Sequence, residues 1–85
     1  MYLSIIEVEP VRDYMLLLTF ENGERRTLDM NPYMHSGIFA ELQDIALFNS
    51  VRVSFDTIEW ANEADLDPEF LYEESKPAWK MQYCV

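Results

Sequence analysis

The chain has 85 residues, with 16 acidic residues against 6 lysine and arginine residues and 1 histidine, which gives a formal net charge of −10 at pH 7. A chain of this length forms one small domain with a single hydrophobic core. Its hydrophobic fraction of 49% is too high for a disordered protein. The negative charge opposes direct binding to nucleic acid, because the phosphate groups would be repelled.

Simple features of the sequence argue against a membrane span and against thiol chemistry. The sequence contains no run of the ~18 consecutive apolar residues that a membrane helix needs. Residues 1–4 lack the basic region that opens a secretory signal. Cys84 is the single cysteine, so it has no partner within the chain for a disulfide or a thiol metal site. We expect a cytoplasmic protein that needs no metal and no cofactor.

The first half of the chain predicts three antiparallel strands. Residues 4–9 form a strand that Pro10 closes, and residues 13–20 form a second strand rich in apolar side chains. Residues 21–24 form a turn, after which residues 25–30 return as the third strand.

The loop of this hairpin decides which face holds the apolar side chains. A two-residue turn at Asn22-Gly23 would place Leu28 opposite Leu17 and leave apolar groups on both faces. A three-residue loop, with Gly23 left-handed in a bulge, places Leu28 opposite Leu16 instead. Because a slip of one residue exchanges the two faces, and only the bulged loop segregates the apolar groups, we predict the bulged loop.

Residues 36–48 predict one or two short helices. Ser36 can cap a helix that begins near residue 37 or 38, and Asp44 can cap a separate last turn. Five apolar side chains would then share one broad helical face, namely Ile38, Phe39, Leu42, Ile45 and Phe48.

A second hairpin and a second helix follow. Residues 51–55 alternate as a strand that pairs with residues 58–60 across Asp56-Thr57, which places Phe55 opposite Ile58. In this register Val53 lies opposite Trp60. The segment Asp67-Pro68-Glu69 has the cap, the first-position proline and the first-turn acid of a helix start. These elements predict an α+β fold of about five mainly antiparallel strands in two hairpins, with one or two short helices on one face.

The last ten residues form a distinct tail after a domain of residues 1–75. Lys76-Pro77-Ala78 ends the second helix, and the apolar residues beyond it recur at every second position, namely Trp79, Met81, Tyr83 and Val85. This period predicts a half-buried strand, which would cover the outer face of the sheet near Met15 and Leu17 or pair with a second copy in a homodimer. A frayed terminus is the alternative.

Two stretches of the sequence match a family pattern. They are Tyr14-x-Leu16-x-Leu18-x-Phe20 with Asn22-Gly23-Glu24, and Thr57-Ile58-x-Trp60-x-Asn62-x-Ala64-Asp65-Leu66-x-Pro68-x-x-Leu71-Tyr72. In these motifs the chain resembles the small bacterial family catalogued as domain of unknown function 2442, over roughly residues 3–74.

The resemblance implies an antiparallel α+β fold, with members that occur alone or ahead of a helix-turn-helix domain. Many members are encoded beside a second small protein, which implies a toxin–antitoxin-like pair. No enzymatic activity is established for the family, so the resemblance implies no catalytic residue. The family usually has Pro-Asn-Gly where this chain has Ala61-Asn62-Glu63, so we expect a longer or differently shaped turn there. The family often carries a glycine where this chain has Asp56.

Candidate chemical sites are few. His35 is the one conventional base near neutral pH, and no local motif marks a serine or cysteine nucleophile beside it, so we expect a surface or packing histidine and no enzyme. Asp65-x-Asp67 could hold a hard cation, but no glycine turn or closing glutamate follows at calcium-loop spacing. Trp60 with Tyr72 could form a recognition pair, although the inward strand position of Trp60 favours the core.

The leading hypothesis is a non-enzymatic protein-interaction module, one component of a two-gene toxin–antitoxin-like or regulatory pair. The acidic run in the second half would bind a basic protein, with a merely solvated surface as the alternative. A small-ligand or cation-sensing regulatory domain is the second hypothesis. The candidate partner-binding residues are Asp65, Asp67, Glu69, Glu73, Glu74, Trp79, Met81 and Tyr83.

Overall fold

Seven short strands and two short α-helices occupy residues 3–78, the part of the chain that the computed structural model describes. The strands are β1 Ile5–Val11, β2 Met15–Phe20, β3 Arg25–Asp29, β4 Arg52–Ser54, β5 Thr57–Glu59, β6 Asp65–Leu66 and β7 Lys76–Pro77. The helices are α1 Ile45–Phe48 and α2 Pro68–Glu74, with 3₁₀ helices at Arg12–Tyr14, Asn31–Tyr33 and Gly37–Gln43. Within the described range, no helix has the length and apolar character needed to cross a membrane.

The strands form two antiparallel sheets, one in the order β1-β2-β3-β7 and one in the order β4-β5-β6. The predicted α+β class and the antiparallel pairing are confirmed. The expected five or so strands are seven, and they divide between two sheets that meet where the amide of Ile5 donates to the carbonyl of Asp56 at 3.0 Å.

The first hairpin has the predicted bulged loop and register. Leu16 pairs with Leu28, the amide of Phe20 donates to the carbonyl of Glu24 at 2.9 Å, and Gly23 is left-handed with φ 91°. The apolar side chains of this face are buried as a set, namely Leu16, Leu18, Phe20 and Leu28. These side chains form the apolar side of the hairpin, on which Arg26 also lies, opposite Leu18.

The connection between β1 and β2 differs from the prediction. Pro10 does not close β1 but pairs with Leu16 inside it, which proline can do because β1 is an edge strand. β2 begins at Met15, two residues later than predicted, because Asp13 and Tyr14 both have positive φ, 64° and 60°, and form the turn.

Residues 37–43 form a 3₁₀ helix in place of the predicted α-helix, and the side chain of Ser36 makes no cap hydrogen bond. A 3₁₀ helix has three residues per turn, so the apolar side chains predicted to share one helical face point in different directions. Leu42 is buried, whereas Ile38 and Ile45 are 41% and 52% exposed. The separate last turn at Asp44 is confirmed, since its Oδ1 accepts from the amide of Ala46 at 3.0 Å.

The predicted register of the second hairpin was wrong by two residues. Val53 pairs with Ile58 and Ser54 with Thr57, so the two turn residues are Phe55 and Asp56. A shift of two residues leaves every side chain on its original face, so the alternation of the sequence did not discriminate between the two registers.

The turn after Trp60 has the same form as the Gly23 loop. The amide of Trp60 donates to the carbonyl of Ala64, and the amide of Glu63 donates to the carbonyl of Trp60, both at 2.9 Å. Asn62 Oδ1 accepts from the amide of Ala64, and Glu63 takes the left-handed position with φ 72°. Glu63 thus adopts the left-handed conformation that a glycine would supply at this position.

These two equivalent loops give a paired prediction. Gly23→Ala should lower the free energy of unfolding by about 1 kcal/mol or more, since a side chain is disfavoured at positive φ. No atom lies within 4 Å of the added Cβ, so contact adds nothing to this cost. Glu63→Gly should leave stability unchanged or raise it by up to about 1 kcal/mol. Urea unfolding of both variants is the measurement, and an unchanged midpoint for Gly23→Ala would contradict the loop geometry.

Candidate interaction surface

The structure places the five predicted acidic residues in the segment that runs from β6 through α2. Asp65 lies on the edge strand β6, Asp67 precedes α2, Glu69 and Glu73 lie on that helix, and Glu74 is its last residue. All five side chains are exposed, and we call this set the acidic face.

Two members of the acidic face have structural contacts. Asp67 caps α2 as predicted, with its Oδ1 accepting from the amide of Glu69 at 2.8 Å. Glu74 Oε1 accepts from the hydroxyl of Tyr33 at 3.0 Å. Among residues 3–78, the carboxylates of Asp65, Glu69 and Glu73 have no hydrogen-bond or ion-pair partner.

The acidic face is not neutralised by the cations of the described chain. The two ion pairs found within residues 3–78 join Arg26 to Glu24 at 3.2 Å and Arg52 to Glu59 at 3.5 Å. Arg52 is the single lysine or arginine between positions 27 and 75 of the sequence. The negative potential of the acidic face is therefore moderated mainly by solvent and salt.

The described residues contain no group of three or more histidine, cysteine or acidic side chains placed to hold a metal ion. Asp65 and Asp67, the predicted candidates for a cation, lie on either side of Leu66, and Asp67 is engaged as a helix cap.

A polar cluster that the sequence did not reveal fastens α2 to the first hairpin. Arg26 Nε donates to Ser75 Oγ at 2.8 Å, and Arg26 Nη2 donates to the Ser75 carbonyl at 2.7 Å. The hydroxyl of Tyr72 donates to Glu24 Oε2 at 2.8 Å. The guanidinium carbon of Arg26 lies 4.2 Å from the centroid of the Tyr72 ring, and the edge of that ring packs against Phe20. We call Glu24, Arg26, Tyr72 and Ser75 the latch.

The latch shifts two pKa values in opposite directions. Hydrogen bonds from Asn22 and then from Tyr72 lower the pKa of Glu24 below its ordinary value. The bond to Glu24, followed by burial, raises the pKa of Tyr72. Elsewhere, burial and then the bond to Glu74 raise the pKa of Tyr33.

The other predicted residues have mainly structural environments. Trp60 is fully buried and its Nε1 donates to the carbonyl of Phe48 at 3.0 Å, so the core position is confirmed and a recognition pair with Tyr72 is not formed. His35 is exposed beside a shallow hollow lined by Tyr14, Asn31, Met34 and Gln43.

The start of the predicted tail lies at the edge of the larger sheet. Lys76 pairs with Thr27 and Pro77 with Arg26, and the amide of Ala78 donates to the carbonyl of Arg25 at 2.9 Å. The remaining predicted partner-binding residues, Trp79, Met81 and Tyr83, lie outside the described residues.

The fold and the surface together define a small α+β protein of two antiparallel sheets with an exposed acidic helix. The chain belongs to the family described as Protein of unknown function (DUF2442), whose model matches residues 5–77. Comparison with curated proteins gives no match, and comparison with solved structures gives none either. The family resemblance seen in the sequence is confirmed over a range that includes all seven strands.

The latch predicts how stability responds to pH at both extremes. Because folding lowers the pKa of Glu24, its contribution is present above the ordinary glutamate pKa and is lost as pH falls through the folded value. Because folding raises the pKa of Tyr72, its contribution is present below the ordinary tyrosine pKa and is lost as pH rises through the folded value.

Tyrosinate absorbance measured against pH tests this coupling. Glu24→Gln should move the titration of Tyr72 down toward its ordinary pKa and flatten the loss of thermal stability at acidic pH. Glu73→Gln is the matched control, since that carboxylate has no partner within residues 3–78. Identical tyrosine titrations for the wild type and Glu24→Gln would show that the bond between Glu24 and Tyr72 does not form.

Proposed function

We propose that the chain is a non-enzymatic protein-interaction module, one component of a two-protein pair, whose acidic face binds a basic protein in the cytoplasm. The observation that carries the proposal is the exposure of Asp65, Glu69 and Glu73 without any partner among residues 3–78. The family resemblance adds the nature of the pair, since it implies a second small protein encoded beside this one.

Two glutamates of the acidic face repel each other on α2. Glu69 and Glu73 are four residues apart, and like charges at that spacing destabilise a helix by about 0.2–0.5 kcal/mol, which offsets part of the stabilisation that Glu69 gains in the first turn. A basic partner would convert this repulsion into attraction and would be drawn toward the acidic face before contact.

The neighbourhood of His35 gives little support to an enzyme. Among residues 3–78, those that line the hollow beside it include no carboxylate, serine or cysteine that could act with the imidazole. Its polar side chains already bond to backbone groups: the hydroxyl of Tyr14 donates to the carbonyl of Gln43, and Gln43 Nε2 donates to the carbonyl of Met34.

Charge reversal on the acidic face tests the proposal. Glu69→Lys and Glu73→Lys should each weaken association with the product of the neighbouring gene by about 3- to 10-fold at low salt, because each removes an attraction and adds a repulsion. Calorimetric titration at increasing sodium chloride is the measurement, and wild-type affinity should fall steeply with ionic strength. Glu74 is left intact, since its reversal would also break the bond from Tyr33.

Glu9→Lys is the matched control for these variants. Glu9 lies on the outer face of β1, is exposed, and has no side-chain partner among residues 3–78. Glu9→Lys changes the net charge by the same amount as Glu69→Lys or Glu73→Lys, but on a different surface of the protein. Equal weakening by Glu9→Lys and Glu73→Lys, or affinity indifferent to salt, would reject the acidic face as the binding surface.

We also propose that the tail joins two copies of the chain through Trp79, Met81 and Tyr83. Supporting this, Ala78 bonds to Arg25, the first residue of β3, so the ladder between β7 and β3 reaches the end of that strand. A chain that continues in the same direction passes beyond its own sheet, where a second copy could receive it.

Two truncations separate the contribution of β7 from that of the rest of the tail, residues 79–85. Ending the chain after Ala78 retains β7, whereas ending it after Ser75 removes the pairing of Lys76 and Pro77 with β3. If the tail bridges subunits, truncation after Ala78 should halve the mass measured by light scattering. Truncation after Ser75 should in addition lower the melting temperature. Unchanged mass and stability for the Ala78 truncation would show that the alternation of apolar residues in the tail is accidental.

A further inference from the structure

The turn between β4 and β5 carries an aromatic side chain that the fold leaves in water. Phe55 is 98% exposed, the highest exposed fraction of any large apolar residue within residues 3–78. Its backbone is left-handed, with φ 57°. An aromatic residue at positive φ is disfavoured, and turns of this kind usually place glycine, asparagine or aspartate there.

The other non-glycine residues with positive φ in residues 3–78 have a structural explanation. The cost of positive φ at Tyr14 is offset by two contacts of its side chain. The ring packs in a T-shaped arrangement with Phe48, with ring centroids 5.1 Å apart, and the hydroxyl donates to the carbonyl of Gln43. The carbonyl of Asp13 accepts from Asn31 Nδ2 at 2.8 Å. Glu63 lies at the one position of its three-residue loop that requires positive φ. The side chain of Phe55, by contrast, makes almost no contact that could offset the cost of its positive φ.

The backbone of this turn is held firmly on both sides. Ser54 and Thr57 pair directly across it. The carbonyl of Asp56 accepts from the amide of Ile5 at 3.0 Å, which ties the turn to the other sheet. Ile6, the next residue along, is the extra residue of a β-bulge and is 56% exposed. Phe55 and Ile6 thus each lie one residue from the hydrogen bond between the Ile5 amide and the Asp56 carbonyl.

The turn that carries Phe55 lies near the start of α2. The hydroxyl of Thr57 donates to the carbonyl of Leu66, so the Phe55 turn is at the end of the small sheet where β6 leads into Asp67 and α2. A protruding aromatic group at the same end of the small sheet as Asp67 and Glu69 is the arrangement expected of an interface in which an apolar anchor adjoins charged residues.

We propose that Phe55, with Ile6, is the apolar anchor of the interface whose charged part is the acidic face. The partner is a basic protein that presents an apolar pocket rimmed by lysine or arginine side chains. The inference rests on the proposed function and adds the anchor and the pocket to it. A second copy of the chain fits poorly, because it would bring further carboxylates against Asp67 and Glu69.

The first arm of the test uses the purified protein alone. Phe55→Asn and Phe55→Gly should leave the melting temperature unchanged or raise it by up to about 8 °C, because both relieve the backbone and neither removes a packed side chain. A fall of more than about 4 °C in both variants would show that Phe55 serves the fold, and would overturn the proposal.

The second arm uses a photo-crosslinking benzoylphenylalanine at position 55 of the full chain, in cells of the source organism. Irradiation should yield an adduct with one basic protein, mapped to an apolar segment flanked by lysine or arginine. Excess wild-type chain should compete for that adduct, and Phe55→Asn should compete at least about tenfold less well. The same probe at the exposed Ile45 is the matched control and should give no such adduct.

The outcomes separate the two proposals. An adduct with a second copy, an adduct with the tail that disappears on truncation after Ala78, or no adduct above the Ile45 control would each overturn the anchor. If the partner binds with the expected dependence on salt and on Glu73, but Phe55→Asn competes as well as wild type, the anchor is wrong while the acidic face stands. If no basic protein binds at all, the proposed function itself fails.

Discussion

The register of the first hairpin is the constraint on which the rest of the structure depends. Gly23 in its left-handed conformation adds one residue to the loop, and this residue places Leu16, Leu18, Phe20 and Leu28 on a single face. Each such side chain contributes about 1.5–3 kcal/mol when fully buried, so the alternative register would lose the greater part of the core. β1 and β7 pair with the two sides of this hairpin in the larger sheet, and Tyr72 of α2 packs against Phe20.

The latch shows how the second half of the chain depends on the first. Arg26 is on the core side of β3, opposite Leu18, where an unpaired guanidinium would be costly. Its nitrogen atoms instead meet Glu24 and the oxygens of Ser75, which is itself buried and ends α2. The same contacts direct the chain from α2 onto the edge of β3. The acidic helix is therefore held in position by an ion pair and hydrogen bonds at its C-terminal end, and by the Asp67 cap at its start.

Local chemistry explains which features could be predicted from the sequence. The Asn22-Gly23 loop, the Asp44 and Asp67 caps and the inward position of Trp60 depend on neighbouring residues, and each is present in the structure. The second hairpin was misplaced because a shift of two residues preserves the alternation of faces, so the pattern did not show that Phe55 belongs to the turn. The positive φ of Tyr14 and Phe55 contradicts local preference, so no local rule could find it. The latch joins Glu24 to Tyr72 across 48 positions of the sequence, a separation at which spacing carries no signal.

The carboxylates of this protein divide by function in a way that net charge alone conceals. Glu24 serves the latch, Asp44 and Asp67 cap helices, and Glu74 accepts from Tyr33, so these groups are part of the folded structure. The carboxylates of Asp65, Glu69 and Glu73 have no hydrogen-bond or ion-pair partner within residues 3–78. The turn that carries the exposed Phe55 lies near the start of α2. Stability would favour fewer charges and a glycine or asparagine at that turn. The binding of a basic partner proposed above would account for both the charge and the positive φ of Phe55, because each has a cost in the isolated chain that a complementary surface can offset.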